Sequence, residues 1–255
     1  MKNFLEKIKK HFRFSKDQKP IEIFVRHCLF SEISHNKERI SHFSKLGCFE
    51  NLLSTIDREL ANVTFFLDVA GQKSPEHFLL SQSEDKVITF DGGTETASFL
   101  YLLDYVNEKS FFSDKIIYFL EDDYLHRPDF CEVLLEAFTL PVDYVTLYDH
   151  NDKYFFKEYE DLNSKIFATP SCHWRTTPST TNTYAMRYKT LKEDLEIHKK
   201  FSQGRKVSQD HKKFLELGER GRTLVSSIPG WSTHCEPKYA SPCIDWASFF
   251  PINKS

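Results

Sequence analysis

Residues 118 to 128, YFLEDDYLHRP, set three consecutive acids, Glu121, Asp122 and Asp123, directly behind an apolar run. Neighbouring like charges repel, so at the end of a buried strand they need either water at a surface turn or a cation. Carboxylates are hard oxygen donors suited to Mg2+ or Mn2+, and those ions share their coordination with phosphate oxygens. An acidic group that closes a strand and faces a crevice can therefore anchor a metal-bound diphosphate. Other acids stand in comparable places. Asp68 closes NVTFFLDVAG, Asp91 closes KVITFDGG just before Gly92 and Gly93, and Asp149 with His150 closes VDYVTLYDH. Downstream, PGWSTHCE offers His234, a candidate metal ligand because neutral imidazole binds Mn2+, and Glu236 two residues on. Each of these residues also has a plainer reading, as a solvated turn or a structural histidine.

The elements that must position them show in the hydrophobic periodicity. IEIFVRHCLF, NVTFFLDVAG, KVITFDGG, SDKIIYFLEDD and VDYVTLYDH read as strands. Between them, helical spacing runs through 37–60 (Ile40, Phe43, Leu46, Leu52, Leu53, Ile56, Leu60), through TETASFLYLLDYVNE behind a capping Thr94, and through DFCEVLLEAF after Pro128. Strands alternating with helices predict a single α/β domain with a mostly parallel central sheet flanked by helices. Ligands of such sheets lie beyond the carboxyl ends of the strands, where all the acids above fall. After residue 150 the alternation stops. Helices are expected at 190–200 and 208–218, around a hydroxyl-rich stretch, SCHWRTTPSTTNTYAMR, and ahead of an irregular C-terminal tail. Trp174 and Arg175 in that stretch suit a sugar face and a diphosphate. A buried Trp and a solvated loop are the alternative. Arg26 and His27 end the first strand, and His126 and Arg127 follow the acids, placed to meet phosphate or to pair with carboxylates.

Bulk properties narrow the classes. A net charge of -3 over 255 residues argues against a nucleic-acid-binding surface. The six cysteines form no CxxC pair, which predicts reduced thiols and no cysteine-built zinc site. No stretch reaches the roughly 18 apolar residues of a membrane span. The first 19 residues are set apart by composition: MKNFLEKIKKHFRFSKDQK carries seven Lys or Arg against two acids, with Phe4, Leu5, Ile8 and Phe12 at helical spacing. Such a segment is expected either to lie peripherally on an anionic membrane surface from the cytoplasm or simply to cap the domain. Liposome flotation with and without residues 1–19 separates the two.

The order of strands, the Asp91-Gly92-Gly93 turn and the FLEDD motif near mid-chain resemble the nucleotide-sugar-dependent glycosyltransferases of the GT-A fold. The likeness is to family 2-like enzymes and to N-acetylglucosaminyltransferases with an EDD motif in place of a plain DxD. It covers roughly residues 21 to 235 and is strongest over 116–128. The resemblance implies a nucleotide-sugar-binding half over 20–150 and an acceptor-side half over 151–255. It implies a UDP-sugar donor, a Mn2+ or Mg2+ cofactor, and a glycan or lipid-linked acceptor, as in surface-polysaccharide synthesis. Residue by residue, it places Asp68 at the base. Arg26, Asp91, Gly92, Gly93, Glu121 and Asp122 fall around the nucleotide and diphosphate. Asp123 and His234 fall at the metal, Trp174 and Arg175 at a sugar. Asp210, in SQDHKKFLELG, falls at the base that deprotonates the acceptor hydroxyl, with inversion at the anomeric carbon. Opening a helix, Asp210 also suits the plainer role of complementing the helix dipole. Two other classes use the same residues: a metal-dependent phosphohydrolase acting on nucleotides, and a non-catalytic carbohydrate- or nucleotide-binding module.

Overall fold

The computed structural model describes residues 18–29, 35–73 and 76–251. The basic N-terminal segment, apart from its last two residues, lies outside them. One nine-stranded sheet organises the chain, in the order β3-β2-β1-β4-β9-β6-β10-β8-β7. Its first half is the predicted parallel set: β1 (Ile21–Cys28), β2 (Ala61–Asp68), β3 (Lys86–Phe90) and β4 (Ile116–Glu121). The second half holds β6 (Tyr144–Thr146), β7 (Ile166–Ala168), β8 (His173–Thr176), β9 (Tyr184–Arg187) and β10 (Leu224–Ile228). Only β8 and β9 run against the rest, so the sheet is mixed but mostly parallel.

Central strands are buried on both faces, and their side chains alternate between two cores. Ile23 and Val25 of β1, Phe65 of β2 and Tyr118 of β4 enter one core, beneath helices α1 (Lys45–Thr55) and α4 (Phe130–Ala137). Phe24, Phe66, Ile117 and Phe119 enter the other, beneath α3 (Glu95–Asn107), α5 (Tyr188–Lys200) and α6 (Asp210–Glu219). A short α2 (Phe78–Gln82) precedes β3. With both faces covered, period-two alternation disappears into continuous apolar runs such as IEIFV.

Local signals set the boundaries. Ser44 caps α1 by accepting from the Gly47 N–H, so the helix expected over 37–60 is confined to Lys45–Thr55. Thr94 caps α3 through the Ala97 N–H, as predicted. The hydroxyl-rich stretch expected to be irregular supplies two strands of the sheet. β9 inserts between β4 and β6, where Tyr184 and Met186 are wholly buried. Beyond the sheet, β5 (Tyr124–His126) and β11 (Ser232–His234) form an antiparallel ribbon that pairs Tyr124 with His234.

Candidate functional site

Strand register puts the chemistry at one edge. Arg26 sits opposite Glu121 on β4, and Cys28 opposite Asp68 on β2. Past these carboxyl ends opens a cavity of about 740 Å³, walled by Asp68, Asp122, Asp123, Asp210 and His234 among others. That volume is in the range of small-molecule sites.

Each member of the acidic triplet has its own side-chain cation. Arg26 Nη2 donates to Glu121 Oε1 at 3.0 Å, while its Nη1 reaches Glu95 Oε1 at 3.1 Å. Lys45 Nζ lies 2.6 Å from Asp122 Oδ2, which also accepts the Cys28 N–H at 3.2 Å. Arg39 Nη1 and His234 Nε2 both meet Asp123 Oδ2, each at 2.9 Å. The repulsion evident in the sequence is therefore met in part by cations of the chain itself. Burial would raise the Asp123 carboxyl, but His234 and Arg39 outweigh it and hold it far below the usual range. For Glu121, burial wins over Arg26 and pushes the carboxyl up to about 7, helped by the charges of Asp123, Glu95 and Asp210.

Asp68 is buried and already occupied by backbone: Oδ1 accepts from the Ala70 and Gly92 N–H groups at 3.0 Å, and Oδ2 from Gly93 at 2.9 Å. It fastens the loop after β3 to the end of β2. A Cβ on Gly92 would stand 2.8 Å from Asp68 Oδ2 and equally close to the Phe90 ring. Gly92→Ala is accordingly expected to cost ~1–3 kcal/mol in chemical unfolding. An unchanged unfolding midpoint would contradict this packing.

Asp210 opens α6 and turns to the cavity. Burial raises its pKa, while Lys213, 3.4 Å away, pulls the other way. Lys213 is only 1% exposed and also donates to Asn182 Oδ1 at 2.6 Å. Asn182 in turn donates to Glu95 Oε1 at 2.9 Å, and Glu95 Oε2 accepts the Ser208 N–H at 2.8 Å. Glu95 thus ties β1, the loop before β9 and the loop before α6 into one support. His27, 2% exposed, lines the cavity with a buried Nδ1 that has no hydrogen-bond partner among the described residues. Burial lowers its pKa to about 4, so it presents a neutral imidazole.

Several sequence expectations need correction. Trp174 is 0% exposed, packed in the core under β8 with its indole N–H donated to Thr169 Oγ1 at 3.0 Å, so it has no face for a sugar. Arg175 is spent on a buried pair with Asp149, 2.7 Å away, and does not wall the cavity. Asp91 is exposed and also stands outside the cavity lining, because β3 ends at Phe90 and the chain turns away; Gly93 does line it. His126 is in the core, bonded to Tyr118, and Arg127 stacks over Trp231. Lys45, Arg39, Glu95 and Lys213 were not anticipated. Lys45 and Arg39 reach acids 77 and 84 residues away, which no local pattern records.

Among the described residues, no group of three or more His, Cys, Asp or Glu is arranged to hold a metal ion. The donor set does fit an ion shared with a phosphate ligand. Asp123 Oδ2 and His234 Nε2 face one cavity 2.9 Å apart, placed to meet one ion, which would displace Arg39 Nη1 from that oxygen. Mg2+ and similar ions commonly use one or two protein donors, the rest being phosphate and water.

No protein-family model matches the sequence, and no curated protein matches it. Solved structures similar in chain course include a 4-diphosphocytidyl-2C-methyl-D-erythritol synthase from Anaerococcus prevotii, at 11% identity and TM-score 0.47 over 83% of this chain and 88% of that one. A CMP:2-keto-3-deoxy-manno-octonic acid synthetase complexed with CTP has 16% identity and TM-score 0.48, covering 86% and 94%. S. aureus TarS 1-349 has 10% identity and TM-score 0.48, covering 84% and 60%.

Proposed function

We propose that the chain transfers a sugar from a nucleoside diphosphate sugar, with uridine as the base, to a hydroxyl of a glycan or lipid-linked acceptor. The convergence of Asp68, Asp122, Asp123, Asp210 and His234 on one cavity at the carboxyl edge of the parallel strands carries this reading. Asp68 and the Gly93 backbone bound the nucleotide end. Asp122, oriented by Lys45, is available to the ribose and diphosphate. Asp123 and His234 would hold a Mn2+ or Mg2+ ion, which when bound neutralises charge on the leaving diphosphate. Lys206, at the cavity wall, meets the same charge. Asp210 takes the proton of the acceptor hydroxyl while that oxygen bonds to the anomeric carbon. The bond from that carbon to the diphosphate breaks with its electron pair leaving on the diphosphate. Attack from the opposite face inverts the centre.

A base must be ionised, so activity falls as pH drops through the raised pKa of Asp210. Lys213→Met removes the charge that opposes burial, raising that pKa further. The acid limb of the pH–rate profile is expected to move to higher pH; an unmoved limb would show that Lys213 does not act on the base.

Incubation with UDP- and GDP-sugars, Mn2+ and glycan acceptors tests the whole reading. Nucleoside diphosphate and glycosylated product should appear together. Phosphate released from nucleotide without acceptor would mean a phosphohydrolase, and binding without turnover a non-catalytic module.

A further inference from the structure

We propose that an aromatic shelf at the mouth of the cavity is a saccharide subsite that takes a pyranose ring of the acceptor. Two 3-10 turns, Asn151–Tyr154 and Pro237–Tyr239, pack together there, with Asn151 Nδ2 donating to the Lys238 carbonyl at 3.1 Å. Around them His150, Phe155, Phe156 and Tyr239 gather their rings. His150 and Tyr239 have centroids 5.4 Å apart, Phe155 and Phe156 4.7 Å, and Phe155 lies 6.4 Å from Tyr239 with planes only 26° apart. The inner end is fixed to the core. Tyr148, 1% exposed, packs on His150 at 4.7 Å and donates its hydroxyl to the Tyr239 carbonyl at 2.5 Å.

Tyr148, His150 and Tyr239 also wall the cavity, so the shelf continues that wall outward. At its outer end Phe155 is 45% exposed. A ring this exposed beside a polar cavity is a surface for a ligand that has an apolar face of its own. The occupant is chosen by what rims the shelf. Lys238 Nζ lies over the rings of Tyr239, Phe156 and Phe155, 5.3, 5.6 and 5.7 Å from their centroids, and sets an N–H donor beside them; Glu236, paired with Lys37 at 3.0 Å, borders the cavity side. A short apolar face ringed by donors and acceptors matches a pyranose, whose C–H face is bounded by hydroxyls. A lipid chain or a partner helix needs a longer apolar strip, and here Lys157 and Glu158, both exposed, interrupt it. The shelf's place in the reaction rests on the transfer reading; its binding of sugar does not.

Saturation-transfer NMR on the full chain, with a panel of neutral mono- and oligosaccharides, tests it. Saturation should reach pyranose ring protons in the wild type, fall at least about tenfold in Phe155→Ala, and persist in Leu80→Ala, which alters an exposed apolar residue outside the cavity lining. No transfer to any saccharide, or equal transfer in Phe155→Ala, would overturn the subsite. Titrating UDP into the wild type alongside separates the two ideas. Saccharide binding that depends on Phe155 without UDP binding would keep the shelf and remove the transfer reading.

Discussion

Asp210→Asn is expected to lower kcat by about a thousandfold while the affinity for nucleoside diphosphate stays within about twofold. The amide keeps the size and the contact with Lys213 but cannot take a proton. The carboxylate is supported from below by Lys213, whose ammonium is itself held by Asn182 at 2.6 Å, so its geometry should survive the change. Steady-state kinetics paired with calorimetric titration of UDP measure both halves. Wild-type kcat in the variant would remove Asp210 from the chemistry. Parallel loss of kcat and UDP affinity would instead make it a donor-binding group.

Asp123→Asn should cost more broadly, because on the proposed reading the same oxygen serves both stability and metal binding. It meets Arg39 and His234 at 2.9 Å each, with little exposure to solvent screening. Losing the charge removes the carboxylate that both Arg39 and His234 meet, at a cost of about 3 kcal/mol. The sign with pH is fixed by the direction of the shift. Burial opposes ionisation, but His234 and Arg39 depress the folded-state pKa, so this stability is present above the ordinary aspartate range and is lost as pH falls through the folded value. Wild type and variant should therefore differ in urea unfolding at neutral pH and converge in strong acid. Transfer should fall by at least about a hundredfold, and its dependence on added Mn2+ should flatten. A variant with wild-type stability and an unaltered metal response would remove Asp123 from both roles.

How much of this was legible in the sequence depended on the range of the interactions. Thr94 and the apolar runs act within a few residues, so the first parallel strands and the existence of their main helices could be read directly, though not the start of α1 at Ser44. β8 and β9 could not, since their strand character comes from burial between distant partners: Trp174 and Tyr184 look like decoration of a Thr-rich loop until the sheet closes around them. The same holds for the site. Acids at strand ends announce themselves, but the cations that meet them do not. Lys45 starts a helix and Arg39 precedes one, and neither position hints at Asp122 or Asp123. Asp91 was misplaced for the opposite reason. A strand-end acid next to Gly-Gly carries the right local signature, yet the turn that Asp68 secures through Gly92 and Gly93 leaves it outside.

Calorimetric titration of UDP into the full chain, with and without Mn2+, tests most directly whether this electrostatic basin holds a nucleoside diphosphate. One equivalent is expected to bind, more tightly with the ion, and at least about tenfold more weakly in Lys45→Ala. The absence of saturable heat with UDP, in both conditions, would contradict the account at its root.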